Sequence, residues 1–178
     1  MKKAALLTGI PGTGKSTIAR KVLNAYPTQQ IKDSTLVCHV GENFTVMGDY
    51  SDPNEIFPGT DRLSMSVSPV FQDYVKKHQP EFFLEGDRLV GNGTIDFLIA
   101  EGYDVKIWCL SVPASVIQER YVQRGSNQDP KFLKSKATKV SNIRSRFDLE
   151  DNIIEVDHIT PEDTKKIAAQ IIEFLLPD

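Results

Sequence analysis

The sequence has 178 residues, 40% of them apolar and 25% charged, which suits one folded domain of ordinary size and excludes a disordered, collagen-like or coiled-coil chain. Its 21 Lys and Arg against 24 Asp and Glu give a formal charge of −3, so the total announces neither a nucleic-acid binder nor a membrane-surface protein. Cys38 and Cys109 each lie in an apolar, β-prone run with no second Cys or His at ligand spacing, and read as packed thiols of a reducing cytoplasm.

Taken in chain order, Ala4 to Thr8 reads as a first strand. Gly9, Pro11, Gly12 and Gly14 then cut the apolar run short of a signal-peptide core, and no later stretch reaches the roughly 18 apolar residues of a membrane span. Gly9-Ile10-Pro11-Gly12-Thr13-Gly14-Lys15-Ser16 completes a G-x-x-x-x-G-K-[ST] pattern and opens into a helix from Ser16 to Tyr26, with Ile18, Val22, Leu23 and Tyr26 on one stripe. This strand, loop and helix form a phosphate-binding P-loop. Backbone N–H groups from Gly9 to Thr17 and a helix N-terminus meet the phosphates of ATP or another NTP, Lys15 reaches the β- and γ-phosphates, and the Ser16 hydroxyl suits Mg²⁺.

A second strand is expected at Thr35 to Val40. Residues 41–66 then interrupt the alternation with Gly41, Gly48, Pro53, Pro58 and Gly59 around a hairpin strand at Phe44 to Met47. Long irregular insertions of this kind are commonly functional, and this one is assigned to the substrate side. Ser68 and Pro69 supply N-cap and N1 for a helix bearing Val70, Phe71, Tyr74 and Val75, followed by a strand at Glu81 to Glu85. Further on come a helix over 92–101 stopped at Gly102, a strand at Val105 to Leu110, a helix from Ser111 and Pro113 to near Gly125, and one through Leu133, Ala137, Val140 and Phe147. A strand at Ile153 to Val156 and a helix capped by Thr160 and Pro161 complete the chain. The pattern predicts a single α/β domain over residues 1–178, a P-loop NTPase-type three-layer sandwich with a five-stranded parallel sheet and helices on both faces.

Glu85, Asp87 and Arg88 stand at the carboxyl end of a strand, where open parallel sheets bind ligands, and Glu85 and Asp87 are spaced to share a face. An isolated Glu-x-Asp-Arg reads as an acidic strand end with a salt bridge. Beside a P-loop it offers what phosphoryl transfer asks of the acceptor side: a carboxylate for a metal-bound water, one for the hydroxyl proton, and a cation for the moving charge. Asp87 is the first choice for the base and Glu85 for the metal partner, with Asp33 and Asp61 in reserve. Guanine-binding Asn-Lys-x-Asp and a GTPase Asp-x-x-Gly switch are missing.

The Asp87-Arg88 pair after a P-loop resembles the Asp-Arg motif of thymidylate and deoxynucleoside kinases, which implies an Arg steadying phosphates and an acid serving as base or metal partner. Glu119-Arg120-Tyr121-Val122-Gln123-Arg124-Gly125 is similar to the Arg-rich lid of that family, implying that Arg120 and Arg124 close over the transferring group. By the same resemblance, the adenine lies near 157–160. The family's Arg-Glu-Pro-Gly loop is replaced by the 41–66 insertion. With Asp49, Tyr50, Asp61 and Arg62, the insertion and the Glu-Gly-Asp-Arg strand end resemble the bacteriophage 5-hydroxymethyluracil DNA kinases. That resemblance implies transfer from Mg-ATP to the hydroxymethyl group of a base in DNA, in the host cytoplasm.

Residues 119–146 carry eight basic side chains (Arg120, Arg124, Lys131, Lys134, Lys136, Lys139, Arg144, Arg146) against Glu119 and Asp129, a net +6 that leaves −9 for the rest. Such a cluster can be a solvated helix face or can grip a nucleic-acid backbone, with Phe44, Tyr50 and Phe57 available to stack a base. The alternatives are a kinase of a free nucleoside, nucleotide or small metabolite, a 5′-hydroxyl polynucleotide kinase using Asp33, and a nucleotide-binding module without transfer. His39, His78 and His158 stand singly and receive no role, and Trp108 is assigned to the core.

Overall fold

In the computed structural model, which describes residues 1–55 and 57–177, the apolar run Lys2–Thr8 forms β1 near the middle of a seven-stranded sheet. Ala4 to Leu7 are fully buried, because a central parallel strand has both faces covered and therefore needs an unbroken apolar run. Their side chains alternate between two cores: Ala4 and Leu6 face one, Ala5 and Leu7 the other. The first core is closed by α2 (Val67–His78), α3 (Asn92–Ala100) and Ile143 of α5 (Pro130–Arg144). The second is closed by α1 (Lys15–Leu23) and α6 (Pro161–Leu175), whose Ile18, Val22, Ile167 and Ile171 pack with Trp108.

The remaining strands are β2 (Thr28–Asp33), β3 (Leu36–Gly41), β4 (Thr45–Met47), β5 (Phe82–Glu85), β6 (Tyr103–Ser111) and β7 (Ile153–Asp157), in the sheet order β2-β3-β4-β5-β1-β6-β7. The expected three-layer α/β architecture is present, but the sheet is larger and its membership differs. β4, β5, β1, β6 and β7 are the parallel strands, whereas β3, expected as one of them, runs antiparallel to β4 and pairs on its other side with β2. The short strand foreseen inside the insertion thus takes the parallel place. β2, Thr-Gln-Gln-Ile-Lys-Asp, gave no apolar signal because it is an edge strand with four of its six residues exposed.

Helix ends also differ in detail. α2 starts at Val67 behind Ser66, which puts Pro69 one turn in rather than at its first position, and the chain after α5 leaves the helix at Arg144 for a 3-10 turn at Phe147–Asn152. Pro113 rather than Ser111 precedes α4 (Ala114–Arg124), and Gly125 ends it with φ 60°. The Thr160 cap of α6 forms as expected, reciprocated by Asp163. Both cysteines are buried free thiols, and among the described residues no helix is long and apolar enough to cross a membrane.

Candidate active site

The loop from Gly9 to Ser16 leaves β1 and turns into α1. Gly12 at φ 86° and Gly14 at φ 92° adopt the left-handed backbone that only glycine takes freely, and a Cβ on Gly12 would strike the Tyr121 ring at 2.7 Å. Thr13 closes the loop on itself, its N–H and hydroxyl both donating to Ile10 O at 3.3 and 2.8 Å. The N–H groups of Gly12, Gly14, Lys15 and Ser16 have no acceptor among the described residues, so four donors stand together at a helix N-terminus. The Lys15 ammonium lies over the loop, donating to Gly9 O at 2.7 Å and Ile10 O at 3.4 Å. This donor set fits a phosphate chain.

β5 lies beside β1 with Glu85 in register with Leu7, which brings the β5 carboxyl end next to the P-loop. Glu85 is 1% exposed; Tyr50 Oη donates to its Oε1 at 2.8 Å, and the Thr60 hydroxyl donates to its carbonyl at 2.6 Å. Burial pushes the Glu85 carboxyl up to about 7, against the downward pull of the Lys15 ammonium and the Tyr50 hydroxyl, while the charges of Asp61 and Asp87 add to the rise. Glu85 and Asp87 do not share a face as the strand alternation predicted. β5 ends at Glu85 and Gly86 turns the chain at φ 95°, so Glu85 meets Tyr50 while Asp87 meets α5, where Lys136 Nζ is 3.3 Å from its carboxylate and Lys139 Nζ donates to its carbonyl. Burial lowers the Lys139 ammonium from its usual range. Asp61 accepts the Arg88 N–H at 3.0 Å and Arg88 Nη2 donates to Asp61 O at 3.2 Å, which ties the insertion to the β5 end.

Other candidates fall elsewhere. Asp33 sits at the tip of the β2–β3 hairpin, four strands from β1, where its charge acts on Cys38 and Tyr74. Arg62 pairs with Asp49 at 3.6 Å and Glu55 at 3.7 Å inside the insertion. Phe44 and Tyr50, both 5% exposed, are core residues and cannot stack a base; Phe57, at 55%, is exposed. Arg120 is not a free lid cation: its guanidinium donates to Gly12 O at 3.0 Å, His158 O at 3.0 Å and Ile159 O at 3.3 Å. The basic stretch is largely engaged within the molecule, with Arg144 on Glu155 and Leu110 O, Arg146 on Asp96 and Asp148, and Lys136 and Lys139 on Asp87. Arg124, Lys131 and Lys134 are the exposed remainder, with no ion pair among the described residues.

His158, given no role from the sequence, is 4% exposed beside the P-loop, with Nδ1 2.5 Å from Thr13 O and Nε2 2.7 Å from the Thr164 hydroxyl. The Tyr121 hydroxyl donates to Pro11 O at 2.6 Å. An open, mainly apolar cavity of about 510 Å³ adjoins the loop between α4 and α5, lined by Ile10, Ile117, Tyr121 and Leu133 among others. Among the described residues no cluster of His, Cys, Asp or Glu could hold a metal alone.

No protein-family model matches the chain, and no curated protein matches it in sequence. Solved structures do resemble it. A sugar kinase from a Janibacter species superposes with a TM-score of 0.52 at 19% identity, over 97% of this chain and 91% of that one. The tunicamycin resistance protein of Deinococcus radiodurans gives 0.52 at 15% identity, over 100% of both chains. The likeness is one of fold. A gluconokinase from Sinorhizobium meliloti gives 0.49 at 20% identity, over 98% of this chain and 89% of that one.

Proposed function

We propose that this chain is a P-loop kinase that transfers the γ-phosphoryl group of ATP, with Mg²⁺, to a hydroxyl of a small acceptor. The observation that carries this reading is the set of four free N–H donors with Lys15, beside which the end of the neighbouring strand brings Glu85 within reach of the Lys15 charge and Asp87 close behind it. The Gly9–Thr17 loop and Lys15 hold the phosphates, and the Ser16 hydroxyl and Glu85 are the residues that would hold the metal. When bound, Mg²⁺ would supply positive charge against the phosphoryl oxygens.

The acceptor oxygen attacks γ-phosphorus, the bond from phosphorus to the β–γ bridging oxygen breaks, ADP leaves, and the hydroxyl proton passes to a carboxylate. Asp87 fits that last role: Lys136 and Lys139 fix its place, and a loose transition state asks the base mainly to orient the hydroxyl. Asp87→Asn is expected to lower kcat by roughly 10²-fold while the Kd for ATP moves less than about 2-fold, measured by steady-state kinetics and calorimetry. Full activity in that variant moves the base to Asp61 or Glu85.

A small acceptor is favoured over DNA because most of the basic stretch is already paired within the molecule. The sugar-kinase neighbour supports the same class. The exposed Arg124, Lys131, Lys134 and Phe57 favour a second reading, the hydroxymethyl group of 5-hydroxymethyluracil in DNA. Incubation with γ-labelled ATP and, in parallel, free sugars, free nucleosides and 5-hydroxymethyluracil DNA separates the two. Label on a free acceptor is expected; label on DNA alone would overturn the first reading in favour of the second, and no label with retained ATP binding would leave a nucleotide-binding module.

A further inference from the structure

Three successive carbonyls of the P-loop are each held by a side chain from outside the loop. Tyr121 of α4 donates to Pro11 O, Arg120 of α4 to Gly12 O, and the His158 ring meets Thr13 O. A carbonyl only accepts, so His158 carries a proton on Nδ1, and its Nε2 is held by a hydrogen bond with the Thr164 hydroxyl. Every described peptide is trans, and in a planar trans peptide the C=O of one residue and the N–H of the next point in opposite directions. Holding Pro11 O outward therefore turns the Gly12 N–H inward, and holding Thr13 O outward does the same for the Gly14 N–H. These are two of the four donors without an acceptor in the chain. Gly12 and Gly14 are also the loop's left-handed residues, whose backbones have the widest conformational freedom to lose that orientation.

We infer that Tyr121 and His158 are positioning residues for the nucleotide phosphates, acting through the peptide planes they pin, with Arg120 completing the clasp and joining it to the 158–159 loop. The inference rests on the reading of this loop as a nucleotide site and adds to it the groups that set its donors before phosphate arrives. Neither side chain needs to touch the nucleotide. Their removal should cost affinity for the phosphate chain whatever base it carries.

The test measures calorimetric Kd values for Mg-ATP and for magnesium tripolyphosphate on the whole chain and on Tyr121→Phe, His158→Ala and His158→Asn. Tyr121→Phe keeps the ring against Gly12 and removes only the hydroxyl; His158→Asn restores an N–H donor near the position of Nδ1. Tyr121→Phe and His158→Ala are each expected to weaken both ligands by the same factor, about 10-fold, and His158→Asn to recover to within about 3-fold of wild type. Unchanged affinities in both variants would overturn the inference, as would a loss confined to ATP, which would place these residues at the base. A wild-type chain that binds neither ligand would instead refute the nucleotide reading.

Discussion

Lys15→Ala is expected to lower the rate of phosphoryl transfer by roughly 10³-fold or more, through two separable effects. The first is direct: the ammonium that lies over the loop is the only cation the P-loop motif itself supplies for the β- and γ-oxygens, and four N–H dipoles do not replace a full charge. The second comes through Glu85, whose buried carboxyl is held near 7 partly by the attraction of Lys15; without it the carboxyl rises further and more of it is protonated at neutral pH. The pH profile of kcat/KM should therefore rise with its midpoint near pH 7 in the wild-type chain, and with a midpoint at higher pH in the residual activity of Lys15→Ala. A variant with an unshifted profile would show that Glu85 ionisation does not limit the reaction.

Glu85→Gln should move stability and activity in opposite directions. An acid with its folded-state pKa raised from 4.5 to about 7 binds its proton more tightly in the folded chain than in the unfolded one. Below about 4.5 both states carry the proton and the group is neutral in the balance. Between about 4.5 and 7 the unfolded chain ionises first, so stability falls as pH rises, and the full penalty is present above about 7. At 1.36 kcal/mol per unit the penalty is roughly 3 kcal/mol, and glutamine, which still accepts from Tyr50, avoids it. The Tm of Glu85→Gln should thus exceed that of wild type by about 5–10 °C at pH 8, with the gap closing toward pH 5, while transfer falls by about 10²-fold or more. Equal Tm values at pH 8 would mean that the ionised carboxylate is solvated or paired well enough to carry no penalty.

The turn of the P-loop was legible in the sequence because it is a local property: the positions of Gly12, Gly14 and Lys15 are fixed within eight consecutive residues, whereas the side chains that hold its carbonyls come from α4 and the 158–159 loop. Elements with unbroken apolar runs, β1, β5 and β6, were legible for the same reason. β2 was not, since an edge strand with polar residues on both faces carries no periodic signal. On the acceptor side the residue types were readable but not their directions, because a left-handed Gly86 overrode the alternation expected of a strand. The basic stretch shows the limit of counting charge: apart from Asp148 beside Arg146, the partners of Lys136, Lys139, Arg144 and Arg146 lie after β5, in β6 and β7 and in α3, outside the window that was counted. His158 was invisible altogether, since its partner Thr13 lies at the other end of the chain.

The insertion has a further property. Asp49 and Gly59 exchange two backbone hydrogen bonds, at 3.0 and 2.8 Å, which close the insertion at one doorway. Tyr50, just inside that doorway, seals Glu85, and Thr60, just outside it, holds the Glu85 carbonyl. The carboxyl end of β5 is therefore braced by the residues on either side of one doorpost pair. Beyond the doorway, Asp52 O accepts from Arg20 of α1 at 2.9 Å and Glu55 pairs with Arg62, so the same loop that seals Glu85 is also moored to the helix that follows the phosphate loop.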